Sequence, residues 1–160
     1  MTPKPALILI VLAQIFGLGL SKVQSSSVIG SWKVEITFKN GESRSLRFEA
    51  QGAGKGSFLL VDPRSYFWEP ARPAEAKWTQ DGGNSVTFSC AIEFPIGNVG
   101  RDAGTLVLNG KFGTDGSITG EAMFFPPDQD PKDPKARPSK SGMFKAIRLT
   151  GDHRSNPPPP

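Results

Sequence analysis

The chain has 160 residues, 37% hydrophobic and 21% charged, which is enough for one domain with a core and too few for two ordinary domains. A single His and a single Cys exclude a disulfide framework and a closed zinc site, and they leave few groups for acid–base catalysis near neutral pH. The 15 prolines and 18 glycines disfavour long helices, whereas 11 phenylalanines can still fill a core built from short strands.

Residues 1–25 have the layout of a secretory signal peptide. Lys4 precedes an apolar run over residues 6–20, and small polar residues follow. As a helix this run would span about 22 Å, which is short of a bilayer core of about 30 Å. We therefore expect cleavage after Ser21 or Ser25 and a secreted or periplasmic protein with no stable membrane anchor. An uncleaved N-terminal anchor is the alternative.

The basic character of the chain belongs partly to that segment. The formal net charge is +4, and removal of residues 1–25 takes away Lys4 and Lys22 and no acid, which leaves +2. The remaining cations alternate with acids, as Lys33 does with Glu35, and they form no stripe that could follow a phosphate backbone. The sequence therefore excludes a nucleic-acid partner.

Eight segments alternate apolar and polar residues with the period of a half-buried strand. In the first, Trp32, Val34, Ile36 and Phe38 share one face, and charged residues and Thr37 occupy the other. The inward residues predicted for the other seven are Leu46 and Phe48; Phe58 and Leu60; Ala74, Ala76 and Trp78; Val86, Phe88, Cys90, Ile92 and Phe94; Leu106, Leu108 and Phe112; Ile118, Ala122 and Phe124; and Phe144 and Ala146.

Three of the connections fit a three-residue hairpin loop that ends in a left-handed glycine: residues 39–41, 81–83 and 114–116. A two-residue turn at Asn40-Gly41 is the stronger local pattern, but it would slip the apolar face by one residue. The predicted pairs are Trp32 with Phe48, Val34 with Leu46, Trp78 with Val86, Ala76 with Phe88, Leu108 with Ala122, and Phe112 with Ile118.

Eight consecutive antiparallel strands with one apolar face predict an all-β fold, an eight-stranded up-and-down barrel, because closure removes the sheet edges. A two-sheet β-sandwich is the alternative. The barrel domain is expected to cover residues 28–149, and residues 150–160 form a proline-rich disordered tail. Two long connections, residues 62–73 and 126–142, interrupt the regular spacing of the strands.

Gly30-Ser31-Trp32 at the start of the first strand and Arg148 near the end of the eighth resemble the Gly-x-Trp motif and closing arginine of the calycins, the lipocalin and avidin group of barrels. The resemblance implies that Arg148 packs across Trp32 and closes one end. Two features depart from a typical lipocalin. Glycine replaces tyrosine in Thr114-Asp115-Gly116, and no room remains for a C-terminal helix. From the residues themselves, Arg148 shares the strand parity of Phe144 and Ala146, so its side chain is expected to point inward.

Two groups of residues are candidate ligand contacts. The first is a wall of small inward residues, Cys90, Gly110, Gly120, Ala122 and Ala146, which leaves room for a small apolar pocket. The alternative is that these glycines let the sheet coil at barrel corners. The second group is Tyr66, Phe67 and Trp68 in the longer loop after the third strand, which are expected to form a lid or a binding surface.

Every predicted inward position except Arg148 is apolar or small, so no acid–base pair is expected in the barrel and the protein is predicted not to be an enzyme. Asp128, Asp130 and Asp133 lack the glycine and distal glutamate of a calcium loop, so no metal or cofactor is expected. The leading hypothesis is a non-catalytic exported barrel that binds a small hydrophobic or amphipathic molecule. The alternative is a filled barrel whose long connections contact an extracytoplasmic protein or inhibit an enzyme.

Overall fold

The computed structural model describes residues 27–61, 73–96 and 100–150. The expected signal peptide, the Tyr66–Trp68 aromatic group and nearly all of the expected tail lie outside these residues. The described chain forms eight strands: β1 (Gly30–Phe38), β2 (Ser43–Ala50), β3 (Lys55–Leu60), β4 (Ala74–Gln80), β5 (Ser85–Ile96), β6 (Gly100–Phe112), β7 (Ile118–Phe125) and β8 (Lys140–Arg148).

The strands form a closed barrel in which each is antiparallel to the next, and β8 pairs back onto β1. The predicted all-β up-and-down barrel is therefore confirmed, and the sandwich alternative is wrong. A 3₁₀ turn at Gly52–Gly54 is the one helical element among the described residues. Across the same residues, no helix is of a length and hydropathy that would let it cross a membrane.

Two of the three predicted hairpin registers are confirmed. The observed pairs are Trp32 with Phe48, Val34 with Leu46, Leu108 with Ala122, and Phe112 with Ile118. Gly41 and Gly116 end their loops with φ of 84° and 75°, in the left-handed region that a residue with a Cβ rarely adopts. The three-residue loops thus set the registers, and the two-residue alternative at Asn40-Gly41 does not occur.

The register predicted for β4 and β5 is wrong by two residues. Trp78 pairs with Phe88 and not with Val86, and Ala76 pairs with Cys90 and not with Phe88. Each side chain keeps its predicted face, because a shift by an even number of residues preserves the alternation. The error therefore changes which residues are neighbours and leaves the composition of the core unaltered.

The side chain of Asp81 explains the shift. Its Oδ1 accepts hydrogen bonds of 3.1 Å from the backbone nitrogens of both Gly83 and Ser85. These bonds stabilise a three-residue loop, 82–84, which the 3.2 Å bond from the backbone nitrogen of Asp81 to the carbonyl of Ser85 closes. The loop lies one residue later than predicted, and Gly83 does not have the positive φ that the prediction required.

Aromatic rings cross the interior of the barrel. The ring of Phe48 on β2 lies 4.8 Å from that of Phe58 and 4.4 Å from that of Phe88 on β5, between ring centroids. Phe94 and Phe124 pack 5.2 Å apart nearer the start of β8. Because β2 and β5 are not neighbours in the sheet, the contact between Phe48 and Phe88 spans the lumen.

Because the strands run alternately up and down, each connection between them lies at one of the two ends of the barrel. One end, which we call the Trp32 end, carries residues 27–29, the loops 51–54, 81–84 and 113–117, and the last residue of β8. The other, which we call the loop-bearing end, is where β3 joins β4 and β7 joins β8. Both long connections identified in the sequence therefore leave the barrel at the same end.

Candidate functional site

Trp32 and Arg148 meet at the Trp32 end. Trp32 is fully buried, and its indole Nε1 donates a 2.8 Å hydrogen bond to the carbonyl of Val28. Arg148 lies over the indole with its Cζ 4.3 Å from the ring centroid. Its guanidinium also donates to the carbonyl of Ile29 at 2.7 Å and to that of Ser27. The arginine therefore ties the segment before β1 to the end of β8.

Gly30 makes room for that arginine. Its φ is 134°, and a Cβ built there would lie 2.5 Å from Nη1 of Arg148. Arg148 is exposed and lies across the rim, which differs from the expectation that it would point into the barrel. It is the last residue of β8, so its side chain reaches over the core and not into it. The resemblance to calycins, and the closing role that it implies, stay predictions.

A shallow cavity of about 270 Å³ lies beside this arginine. Its lining residues are Asp115, Gly116, Ser117, Lys145, Ile147 and Arg148. Two hydrogen bonds from Ser117 lower the pKa of the Asp115 carboxyl, and Arg148 already bonds two carbonyls. The polar groups of the cavity are thus largely engaged with the protein itself.

Other side chains occupy the space beside the predicted small-residue wall. Gly110 pairs with Gly120, but a Cβ at Gly110 would lie 2.6 Å from the ring of Phe144 and 2.8 Å from a methyl group of Ile118. Ala122 and Ala146 are fully buried. The use of these residues as ligand contacts stays a prediction.

Two glycines of the sheet allow close approach of backbone. A Cβ at Gly120 would lie 2.0 Å from the carbonyl oxygen of Asn109, and one at Gly142 would lie 2.1 Å from that of Thr37. No side chain fits at such distances. These contacts agree with the alternative interpretation that the glycines let the sheet coil tightly.

Cys90 is buried, and burial raises the pKa of its thiol far above the usual range. A thiol in this state is a poor nucleophile and a poor metal ligand. Among the described residues, no group of three or more His, Cys, Asp and Glu side chains lies close enough together to hold a metal ion.

The loop-bearing end holds four charged side chains that the sequence analysis missed. Arg44 pairs with inward-facing Ile36, Asp102 with Phe94, and Lys140 with Phe124, so these three charges face inward. The fourth, Glu42, precedes β2. The set of predicted inward positions, which are apolar or small except for Arg148, therefore leaves out three charged ones. The signal was the strand parity, which in these three segments extends back to residues before the first predicted apolar one.

Ion pairs join these four residues, which we call the mouth cluster. One carboxylate oxygen of Glu42 forms an ion pair with Arg44, and the other forms one of 2.7 Å with Nζ of Lys140. Asp102 accepts from the same Nζ at 2.8 Å. Arg44 donates to the carbonyl of Pro95 at 3.3 Å. Because β2, β6 and β8 are not neighbours, the mouth cluster spans the opening of the barrel.

These contacts fix the protonation of the mouth cluster. Burial opposes the charge of Glu42, but the hydrogen bond from Lys140 and the charge of Arg44 outweigh it and lower the pKa of Glu42. Burial likewise opposes the charge of Lys140, but the bonds to Asp102 and Glu42 outweigh it and raise the pKa of Lys140. Both groups stay charged at neutral pH, so neither suits proton transfer there.

The mouth cluster rests on aromatic rings of the core. The Cζ of Arg44 lies 5.3 Å from the ring centroid of Phe94. Nζ of Lys140 lies 6.0 Å from the centroid of Phe38 and 5.8 Å from that of Phe124. These distances suit cation–π attraction, which partly offsets the loss of solvent by the two cations.

The connection between β7 and β8 leads into Lys140 of the mouth cluster and contains a short repeat. Asp130-Pro131-Lys132 is followed at once by Asp133-Pro134-Lys135. In each copy the aspartate Oδ1 accepts from the backbone nitrogen two residues later, at 2.9 and 2.8 Å. The aspartate carbonyl accepts from the nitrogen three residues later, at 2.9 Å in both copies. The connection is thus two consecutive β-turns with proline at the second position.

Further bonds hold this connection to the barrel. The backbone nitrogen of Arg137 donates to Oε1 of Gln129 at 2.6 Å. The backbone nitrogen and hydroxyl of Ser139 donate to the carbonyl of Phe124 at 2.8 and 3.1 Å. Lys132 and Lys135 are exposed, and they belong to a connection whose backbone these hydrogen bonds fix.

No protein-family model, curated protein or solved structure matches the chain.

Proposed function

We propose that the chain is an exported, non-catalytic barrel that binds an extracytoplasmic protein partner through the connections at its loop-bearing end. The observation that carries this proposal is the topology, because β3 ends and β4 begins, and β7 ends and β8 begins, at the end whose mouth charged side chains span. Export is supported by the layout of residues 1–25. The contacts of Gly30, Trp32 and Arg148 support membership of the calycin group.

The filled interior favours this function over ligand storage. An internal void large enough for water would expose the side chains around it, yet Leu106, Leu108, Ala122 and Ala146 have 0% exposure. The small-residue wall is thus packed, and a ligand inside the barrel would have to displace core side chains. Displacing a large buried side chain costs several kcal/mol, in the manner of overpacking a core.

The double turn at residues 130–136 suits protein recognition. Proline at the second position and the aspartate hydrogen bonds fix the backbone before a partner arrives, so binding loses less conformational entropy. Lys132 and Lys135 then reach a partner from a rigid base. A flexible connection of equal length would bind more weakly because it must first be ordered.

The test is native mass spectrometry of protein purified from its own host. We expect the wild type to retain a protein chain, and the double variant Lys132→Glu/Lys135→Glu to lose it. A matched control is Lys55→Glu/Lys77→Glu, which makes the same charge change on the exposed wall of β3 and β4 and should retain the partner. Equal retention by both double variants would contradict a role for the turns.

A small amphipathic molecule is the second candidate for the bound species, and a specific observation favours it. Arg44 and Lys140 hold two positive charges over aromatic rings at the opening of the barrel. The alkyl stems and the charged ends of these two side chains offer an apolar and a charged contact side by side. A retained small molecule in the same spectra, with no protein chain, would support this second function and contradict the first.

A further inference from the structure

Glu42 occupies the position between two cations that a bound carboxylate would take. One of its oxygens meets Arg44 of β2 and the other meets Lys140 of β8 at 2.7 Å. The side chains of these cations are only 12% and 18% exposed. A carboxylate that bridges two partly buried cations is the arrangement by which proteins hold anionic head groups.

The occupying carboxylate comes from a turn, whereas the cations come from strands. Glu42 follows the loop 39–41, in which a Cβ added to Gly41 would meet nothing within 4 Å. Besides the two cations, Glu42 contacts Asn40 of its own turn, at 3.4 Å between Nδ2 and Oε2. The carboxylate can therefore turn toward solvent without any change in β2 or β8.

Below the cations lies an apolar surface of three rings. Phe38, Phe94 and Phe124 are at most 2% exposed, because Arg44 and Lys140 cover them from the side of the opening. Because the cations cover the rings, the apolar part of a ligand would pack against the alkyl stems of Arg44 and Lys140 and would not enter the filled interior. Its anionic group would meet the cations at the same place.

We propose that the mouth cluster is a binding site for amphipathic anions, with a carboxylate or sulfonate head group, in which Glu42 competes with the ligand for Arg44 and Lys140. This inference rests on the second candidate function and not on the protein partner. Asp102 keeps Lys140 in place at 2.8 Å when Glu42 leaves. Removing the internal competitor then raises the apparent affinity, because the binding-competent fraction grows.

The experiment is a fluorescence titration with 1-anilinonaphthalene-8-sulfonate, which carries a sulfonate beside aromatic rings, at low ionic strength. Glu42→Gln should bind this probe at least about fivefold more tightly than the wild type. Lys140→Met added to Glu42→Gln should abolish the gain. The matched control is Glu35→Gln, which loses an ion pair of 2.8 Å with Lys33 on the outer wall and should bind like the wild type.

Near-ultraviolet circular dichroism separates binding by the folded barrel from binding by a loosened core. If Glu42→Gln loses the native spectrum, Glu42→Asp is titrated in its place. Nuclear magnetic resonance of the wild type then supplies a second measurement, in which the probe should shift the amide signals of Glu42 and Lys140. The proposal would be overturned if folded Glu42→Gln bound the probe no more tightly than the wild type, or if Glu42→Gln/Lys140→Met kept the gain in affinity. It would also be overturned if the probe shifted amide signals of the wild type only at other residues. None of these outcomes affects partner retention through Lys132 and Lys135.

Discussion

Lys140 and Arg148 are the first and last residues of β8, and each places its charge over aromatic rings at one end of the barrel. At a barrel rim a cation has hydrocarbon below it and water above it, so its charge is only partly desolvated. Each such contact stabilises the fold by about 0.5 to 2 kcal/mol. The same device is therefore used twice, once on Trp32 and once on the phenylalanines beneath the mouth cluster.

Gly30 allows a sharp test of the contact at the Trp32 end. Gly30→Ala places a Cβ 2.5 Å from Nη1 of Arg148, and φ is 134°, so we expect destabilisation of about 1 to 3 kcal/mol in thermal unfolding. The control is Gly52→Ala, at the same end, where nothing lies within 4 Å and φ is not positive. It should change the melting temperature little.

A double-mutant cycle separates the clash from backbone strain. In an Arg148→Ala background the strain at position 30 remains while the clash is gone, so Gly30→Ala should cost measurably less than in the wild type. If Gly30→Ala destabilised the protein equally in both backgrounds, the absence of a Cβ at position 30 would not be needed to accommodate Arg148.

The hairpins between the strands differ in how their glycines are used. Gly41 and Gly82 both have open space around a built Cβ, but only Gly41 has a positive φ, of 84°. Gly41→Ala should therefore destabilise the protein by about 1 kcal/mol, because a Cβ disfavours the left-handed region. Gly82→Ala should be neutral or stabilising by a few tenths of a kcal/mol, because alanine restricts the unfolded chain.

Thermal unfolding of the two variants, side by side, checks this pair. Since both residues lie in exposed loops, burial does not contribute to the difference. A melting temperature lowered equally by both substitutions would mean that the two loops have the same backbone requirement, contrary to the observed angles.

Strand parity was sufficient to predict the barrel and most of its core from the sequence. It succeeded because one face of every strand is buried, as in β1, where Trp32, Val34 and Ile36 all face inward. It failed at Asp81, where a carboxylate that accepts two backbone hydrogen bonds competes with the glycine turn. Both loops are consistent with Asp-Gly-Gly, and only the geometry of the strands distinguishes them.

The mouth cluster was missed for a different reason. Arg44 and Lys140 continue the parity of their strands, but an inward charge is acceptable only if a partner neutralises it. That partner, Glu42, is 98 residues from Lys140 along the chain. Closure of the barrel brings the two residues together, and no local pattern in the sequence predicts that they pair.

The described residues together form a filled barrel with charged contacts across both of its ends. Its interior is packed with rings and aliphatic side chains, so the surfaces free to bind are those at the ends and on the wall. The loop-bearing end combines the mouth cluster with the double turn, and β3 ends and β4 begins there as well. This distribution explains why we assign binding to that end and not to an interior chamber.

Xenon binding tests the filled interior most directly, because xenon enters dry apolar cavities. In a titration followed by nuclear magnetic resonance, we expect no saturable shift of the methyl signals of Ala122 and Ala146 in the predicted small-residue wall, or of Leu106 and Leu108 beside it. A saturable shift confined to these methyl groups would reveal a chamber inside the barrel, and would contradict the assignment of binding to the loop-bearing end.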